Sequence, residues 1–408
     1  MSKKRSFFDR IGPGVLVTAA FVGPGTIATA SSAGANFGFA LLWALLFSVF
    51  ATIVLQEMAA RVGLVTRAGL AEAMRDAFSS RWLGSFSVVM VVGAVGLGNA
   101  AYEAGNIAGA ALALATVGGL DTQGWAIVIG IGAGALLISG RYRLLESVLI
   151  LLVLMMSAVF LLTAMLVAPP AVDILAGMLV PSLPEGSVLT VLALVGTTVV
   201  PYNLFLHANA VREKWGANIQ VKQALRESRW DTGLSIGLGG IITLAIISTA
   251  AAAFFQAEAE FSGEALGMQL EPLLGPSARY VFAAGLFASG LTSAITAPLA
   301  AAYAVCGAMG WSIGMTSRPF RLVWGVVLLT GTVFAALGTK PLAAILFAQV
   351  ANGLLLPFVA AFLLLVMNRR DLLGDHVNGP VSNGLGVIVV LIAVALGLVK
   401  IAGVAGLI

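Results

Sequence analysis

Charge is scarce in this chain of 408 residues. Asp, Glu, Lys and Arg together make up 10% of it, whereas a water-soluble globule carries about 25%. Too little charge is available to clothe a soluble surface. Cysteine occurs once, at Cys306, which excludes a disulfide scaffold. No Gly-rich loop of the Walker type is present, so ATP drive is not supported. No His-Glu-x-x-His helix occurs, and no enzymatic activity and no cofactor are expected. Hydrophobic residues supply 60% of the chain and the mean hydropathy is +1.03, the opposite of a disordered composition. The net charge of +4 is scattered through short hydrophilic gaps, which argues against nucleic acid as a partner. What remains is a polytopic membrane protein whose surroundings are the lipid bilayer.

Roughly 20 apolar residues span the hydrocarbon as a helix. Eleven such stretches lie near 11–34, 39–62, 86–116, 124–139, 145–168, 187–211, 231–256, 279–309, 319–337, 341–367 and 384–407. With a cytoplasmic N-terminus and alternating spans, 19 of the 22 basic residues fall on the cytoplasmic side. Only Arg279 and Lys340 lie outside, and Lys400 sits in the last span. Acids such as Asp121, Asp173, Glu185, Glu258 and Glu271 populate the outer loops. The positive-inside rule therefore supports the odd span count, with the C-terminus outside. The basic start, MSKKRSFFDR, reads as a retained cytoplasmic segment, and a bacterial inner membrane is the expected location.

Two spans are interrupted. The first contains Gly23-Pro24-Gly25-Thr26 and the sixth Val200-Pro201-Tyr202-Asn203. Proline removes a backbone donor and clashes with the preceding turn, and both breaks fall deep in their apolar segments. Unpaired backbone at that depth survives only where it is buried in protein or lines a wet cavity. Spans one and six run in opposite directions, the arrangement of an inverted repeat of five helices each. Interrupted helices at matching places in two such halves point to a transporter's binding site.

Residues 12–46, GPGVLVTAAFVGPGTIATASSAGANFGFALLWALL, resemble the opening of the Nramp divalent-metal transporters. The stretches TTVVPYNLFLHA at 197–208 and LFAQVANGLLLPFVAAFLLLVMNRRDLLG at 346–374 resemble that family's sixth and tenth helices. The resemblance implies a single all-α transmembrane domain over 1–408 with a LeuT-like fold. Repeat one would cover about 11–168, repeat two about 187–367, and an extra helix about 384–407, with helices one and six broken. It also implies proton-coupled transport by alternating access. The site departs from the family's motifs. Where the family has Asp and Asn ligands on helix one, this chain has Gly23 and Thr26. Where it has Met and His on helix six, this chain has Val200 and Tyr202. Asn203, a second helix-six histidine at His207, and the helix-ten glutamine at Gln349 are retained. The acidic pair of helix three falls at Glu103 and Asn106, so one acid remains.

Loss of the anionic ligand matters because isolated charge in a low-dielectric site is very costly. The remaining candidates are the Thr26 hydroxyl, the Asn203 and Gln349 amides, and carbonyls freed near Gly23 and Thr197. These are hard, neutral oxygens. Without a thioether the preference for manganese or iron is lost. A hydrated ion such as magnesium suits them, and a small neutral or zwitterionic solute such as an amino acid suits them as well. Glu103, as an intramembrane carboxylate, is expected to be functional, placed near where the broken helices meet. His207 has a range suited to proton transfer but is equally readable as a structural histidine. Glu57 and Arg61 read as an i,i+4 pair, Tyr102, Tyr202 and Tyr303 as aromatic packing, Cys306 as an inert buried residue, and Lys400 as a snorkelling side chain. The expected function is a monomeric secondary transporter of a small cation or solute.

Overall fold

The computed structural model describes residues 22–77, 81–139, 143–215, 220–338 and 340–404. The expected cytoplasmic start, the inner half of span one (11–21) and the Lys400 side chain lie outside the described residues. Every regular element is helical. In chain order these are α1 (Pro24–Phe37), α2 (Leu42–Thr66), α3 (Leu70–Asp76), α4 (Arg81–Val91), α5 (Gly98–Val117), α6 (Thr122–Ser139), α7 (Arg143–Val167), α8 (Ala171–Leu179), α9 (Val188–Thr198) and α10 (Pro201–Trp215). They continue with α11 (Val221–Ala250), α12 (Glu271–Leu274), α13 (Ala278–Met309), α14 (Arg318–Ala336), α15 (Pro341–Val366), α16 (Arg370–Leu373) and α17 (Pro380–Val404). Nine segments among the described residues are long and apolar enough to cross a membrane. The two other expected spans correspond to α1 and to α4–α5, the latter joined through a π-helical turn at Val92–Leu97.

α13 and the α9–α10 pair are the most enclosed spans, and α6 and α17 the least. α2 and α11 pack around the broken helices. Small residues set how closely they approach. A side chain on Gly34 would collide with the Ile247 carbonyl, and Gly38, at φ +56°, turns the chain beneath the Phe255 ring, a conformation that favours glycine. α9 and α15 approach through Gly196 and Gly353, which leave no room for a Cβ against the Gln349 and Leu192 carbonyls respectively.

Two polar clusters fasten the ends of the bundle. In the connection between α11 and α13, the fully buried Gln269 accepts from Ser31 Oγ at 3.2 Å and from Thr249 Oγ1 at 3.2 Å, while its Nε2 donates to the Leu266 carbonyl at 2.7 Å. At the opposite end, Arg61 donates to Glu57 at 2.9 Å, to Asn378 Oδ1 at 2.7 Å and to the His376 carbonyl at 3.2 Å. Glu57 also accepts from Arg229 at 2.8 Å. The expected Glu57–Arg61 pair is present, extended by partners more than 150 residues away in the chain. Cys306 is a buried free thiol, and Tyr303 packs edge-on against Phe320 with centroids 5.0 Å apart.

Candidate functional site

The first break is the N-terminus of α1. Gly23 is extended (φ −84°, ψ 177°), Pro24 opens the helix, and the Gly23 carbonyl accepts from Ile27 N at 3.1 Å. Proline at the first helical position forfeits an N–H that would have no intrahelical partner in any case. The second break separates α9 from α10. Val199 leaves the helix at φ −99°, ψ 70°, and its N–H caps α9 through the Val195 carbonyl at 2.8 Å. Pro201 then starts α10, with Asn203 N donating to the Val200 carbonyl at 3.0 Å. The freed Thr198 carbonyl is taken up by Thr52 Oγ1 of α2 at 3.2 Å.

The breaks meet. Thr26 Oγ1 and Thr197 Oγ1 lie 3.0 Å apart. Gln349 of α15 closes the third side, its side chain filling the space over Gly25 that a Cβ would need. Pro24 packs on α5, where a Cβ on Gly109 would come within 2.5 Å of the proline ring. Tyr102 of α5 meets Tyr202 edge-on, with centroids 5.3 Å apart and planes at 64°. Thr26, Thr197, Val200, Tyr202, Asn203 and Gln349 are each at most 2% exposed.

Polar atoms without a partner gather here. Thr198 Oγ1, Asn203 Oδ1 and Gln349 Oε1 are buried and unpaired. Buried polar atoms are nearly always hydrogen-bonded, so a cluster of exceptions marks a place that a polar species can complete. The donor set is neutral. Among the described residues no group of three His, Cys, Asp or Glu side chains converges.

Glu103 and Asn106 lie elsewhere. Gly105 and Gly109 face α15 and Pro24. Glu103, two residues before Gly105, points about 160° around the helix from it. Its Cγ is where a Cβ on Gly331 of α14 would need to be, at 2.5 Å, and its Oε2 accepts from Asn106 Nδ2 at 3.1 Å. Helical phase turns Glu103 towards α14, while its carboxyl stays within electrostatic reach of Tyr202 at the second break. His207 lies two turns beyond the second break, its Nε2 3.1 Å from Thr232 Oγ1 of α11. The sequence reading missed Thr52 and Thr198, whose only signal is a hydroxyl on an otherwise apolar helix.

A cavity of about 690 Å³ lies where α1 ends and α9 and α15 begin, lined by Asn36, Thr190, Ala193, Leu346 and Val350 among others. Ala193 and Val350 place its floor within a turn of Gly196 and Gln349.

A broken-helix bundle around a polar centre defines a membrane transporter of the LeuT-like fold rather than an enzyme. Crystal structures of a manganese transporter from Eremococcus coleocola superpose with a TM-score of 0.74 at 21% identity, covering 99% of this chain and 89% of that one. The nucleobase-cation-symport-1 family transporter Mhp1 has a similar fold, with a TM-score of 0.58 at 16% identity over 97% of this chain and 93% of that one. The profile described as "Natural resistance-associated macrophage protein-like" matches residues 14–403, and the chain belongs to the Nramp family. A divalent metal cation transporter MntH from Acidiphilium cryptum is 30% identical over 370 residues, 89% of this chain and 83% of its relative. The MntH of Klebsiella pneumoniae is 27% identical over 396 residues, 95% of this chain and 92% of its relative.

Proposed function

We propose that this protein is a secondary transporter of divalent cations working by alternating access, and that it handles the ion with its water shell retained, favouring magnesium over manganese or iron. Its relatives named as divalent metal cation transporters support the ion class. The observation that carries the selectivity is the set of unpaired buried atoms on Thr198, Asn203 and Gln349, with Gly23 and Val200 in place of an acid and a thioether. Neutral oxygens do not compensate a stripped divalent ion, but they accept hydrogen bonds from metal-bound water, which magnesium releases reluctantly. The cavity lined by Ala193 and Val350 serves as the approach to the site, and the distribution of basic residues supports a cytoplasmic N-terminus. One observation favours a second reading. α1 and α10 both begin at the site, and helix N-termini favour anionic groups, as the carboxylate of a zwitterionic solute would supply. Uptake of magnesium, manganese and amino acids into proteoliposomes tests both. Magnesium uptake that manganese does not match supports the first, and amino-acid uptake without ion uptake supports the second.

A further inference from the structure

Asn352 sits on α15 three residues beyond Gln349. It is 2% exposed, and its Nδ2 has no hydrogen-bond partner. A buried carboxamide left unpaired is costly in an otherwise apolar helix, so its surroundings bear on its purpose. α5 and α15 run antiparallel: Gly105 packs against Ala348 and Ile345, and Gly98 against Leu355. Between those two contacts the register sets Asn352 level with Tyr102. Ile345, Ala348 and Asn352 share the stripe of α15 that faces α5, and Gln349, over Gly25, adjoins that stripe. Tyr102 in turn touches Tyr202, which precedes Asn203 with its unpaired Oδ1. Asn352 thus lies on the α5-facing stripe of α15, one turn past Gln349.

We propose that Asn352 is a specificity-determining contact of the transported species, a second amide rung that holds the water shell of the cation as it leaves Gln349. The proposal rests on the hydrated-cation reading given above. Metal-bound water donates hydrogen bonds, and rotation of the carboxamide exchanges its oxygen for its nitrogen, so the unpaired group can turn its carbonyl to that shell. An uncharged rung holds the shell without stripping it and lets the ion go.

The test uses the full chain, purified and reconstituted, with magnesium as the probe. Asn352→Leu keeps the branching and the number of heavy atoms and removes the amide; it is expected to weaken magnesium binding about tenfold, the worth of one buried hydrogen bond. Asn352→Asp adds a negative charge and is expected to tighten magnesium binding by about tenfold or more while slowing turnover. Unfolding temperature and elution position report whether each variant folds, and either variant alone decides the matter. If both bind and transport magnesium like the parent while Gln349→Leu loses binding, the rung is refuted and the function stands. Abolished magnesium binding in a folded Asn352→Asp protein also refutes it. If the parent protein binds no magnesium, and Gln349→Leu changes nothing, the functional reading itself falls and the rung falls with it.

Discussion

Thr26 and Thr197 hold their hydroxyls 3.0 Å apart across the two interrupted helices, 171 residues apart in sequence. This bridge makes the meeting point of the two breaks a neutral hydrogen-bonded seam. The consequences for ion chemistry can be measured.

Manganese is expected to bind weakly or not at all. Gly23 and Val200 stand where the family has a carboxylate and a thioether, and soft-metal preference goes with the thioether. Isothermal titration of purified protein checks this, and micromolar manganese affinity at the site would overturn the argument from lost ligands.

Restoring the ligands should restore the chemistry. The combined Gly23→Asp, Thr26→Asn and Val200→Met changes are expected to create measurable manganese binding. An intact fold with no gain would mean that the cavity, and not only its ligands, differs from that of the family.

Gly25 gives a steric test. A methyl there would collide with the Gln349 carboxamide, which is the mobile end of a side chain and can swing away. Gly25→Ala is therefore expected to leave the protein folded and to weaken substrate binding as much as Gln349→Ala, about tenfold for one lost hydrogen bond. Unequal losses in the two variants would show that the carboxamide is not the group displaced. Gly196→Ala differs, because there the obstacle is the Gln349 backbone carbonyl. That variant is expected to lose folded yield outright, as judged by size-exclusion chromatography of the detergent extract.

Proton coupling is expected to be weak. Glu103 has Asn106 as its one side-chain hydrogen-bond partner among the described residues and packs against Gly331 of α14, and the second acid of the family's pair is absent. In liposomes that report internal pH, magnesium uptake should proceed with little acidification, and Glu103→Gln should change uptake more through folding than through coupling. Robust substrate-driven acidification abolished by Glu103→Gln would refute this.

The two partners of Glu57 should differ sharply. Arg61 has a side chain 7% exposed, whereas that of Arg229 is 57% exposed. Arg61→Met leaves Glu57 to Arg229 alone and takes the donor from Asn378 Oδ1 and the His376 carbonyl, and is expected to cost about 2 kcal/mol. Arg229→Met breaks a surface pair and is expected to cost under about 1 kcal/mol. Thermal unfolding in detergent compares the two.

The breaks and the spans were legible because their causes are local: proline and glycine within an apolar run leave a mark in a window of a few residues. The Glu57–Arg61 pair was legible for the same reason, being one helical turn. Arg229 and Asn378 were not, since nothing in the neighbourhood of Glu57 announces partners on α11 and beyond α16. Glu103 shows a subtler limit. Its span and depth follow from hydropathy, but which neighbour it faces depends on the rotation of α5, and that is fixed by Gly105 and Gly109 fitting against α15 and Pro24. Asn352 was passed over because a lone amide in an apolar helix carries no motif, although its spacing from Gln349 puts both near one face.

Gln269 turns a connecting segment into a lever. It is hydrogen-bonded at once to Ser31 on α1 and to Thr249 on α11, so the stretch Glu264–Leu270 cannot stay still while the outer half of the first broken helix tilts. The segment that joins α11 to α13 is thereby tied to the first broken helix little more than one turn from Thr26, so its packing and the geometry of the break are set together.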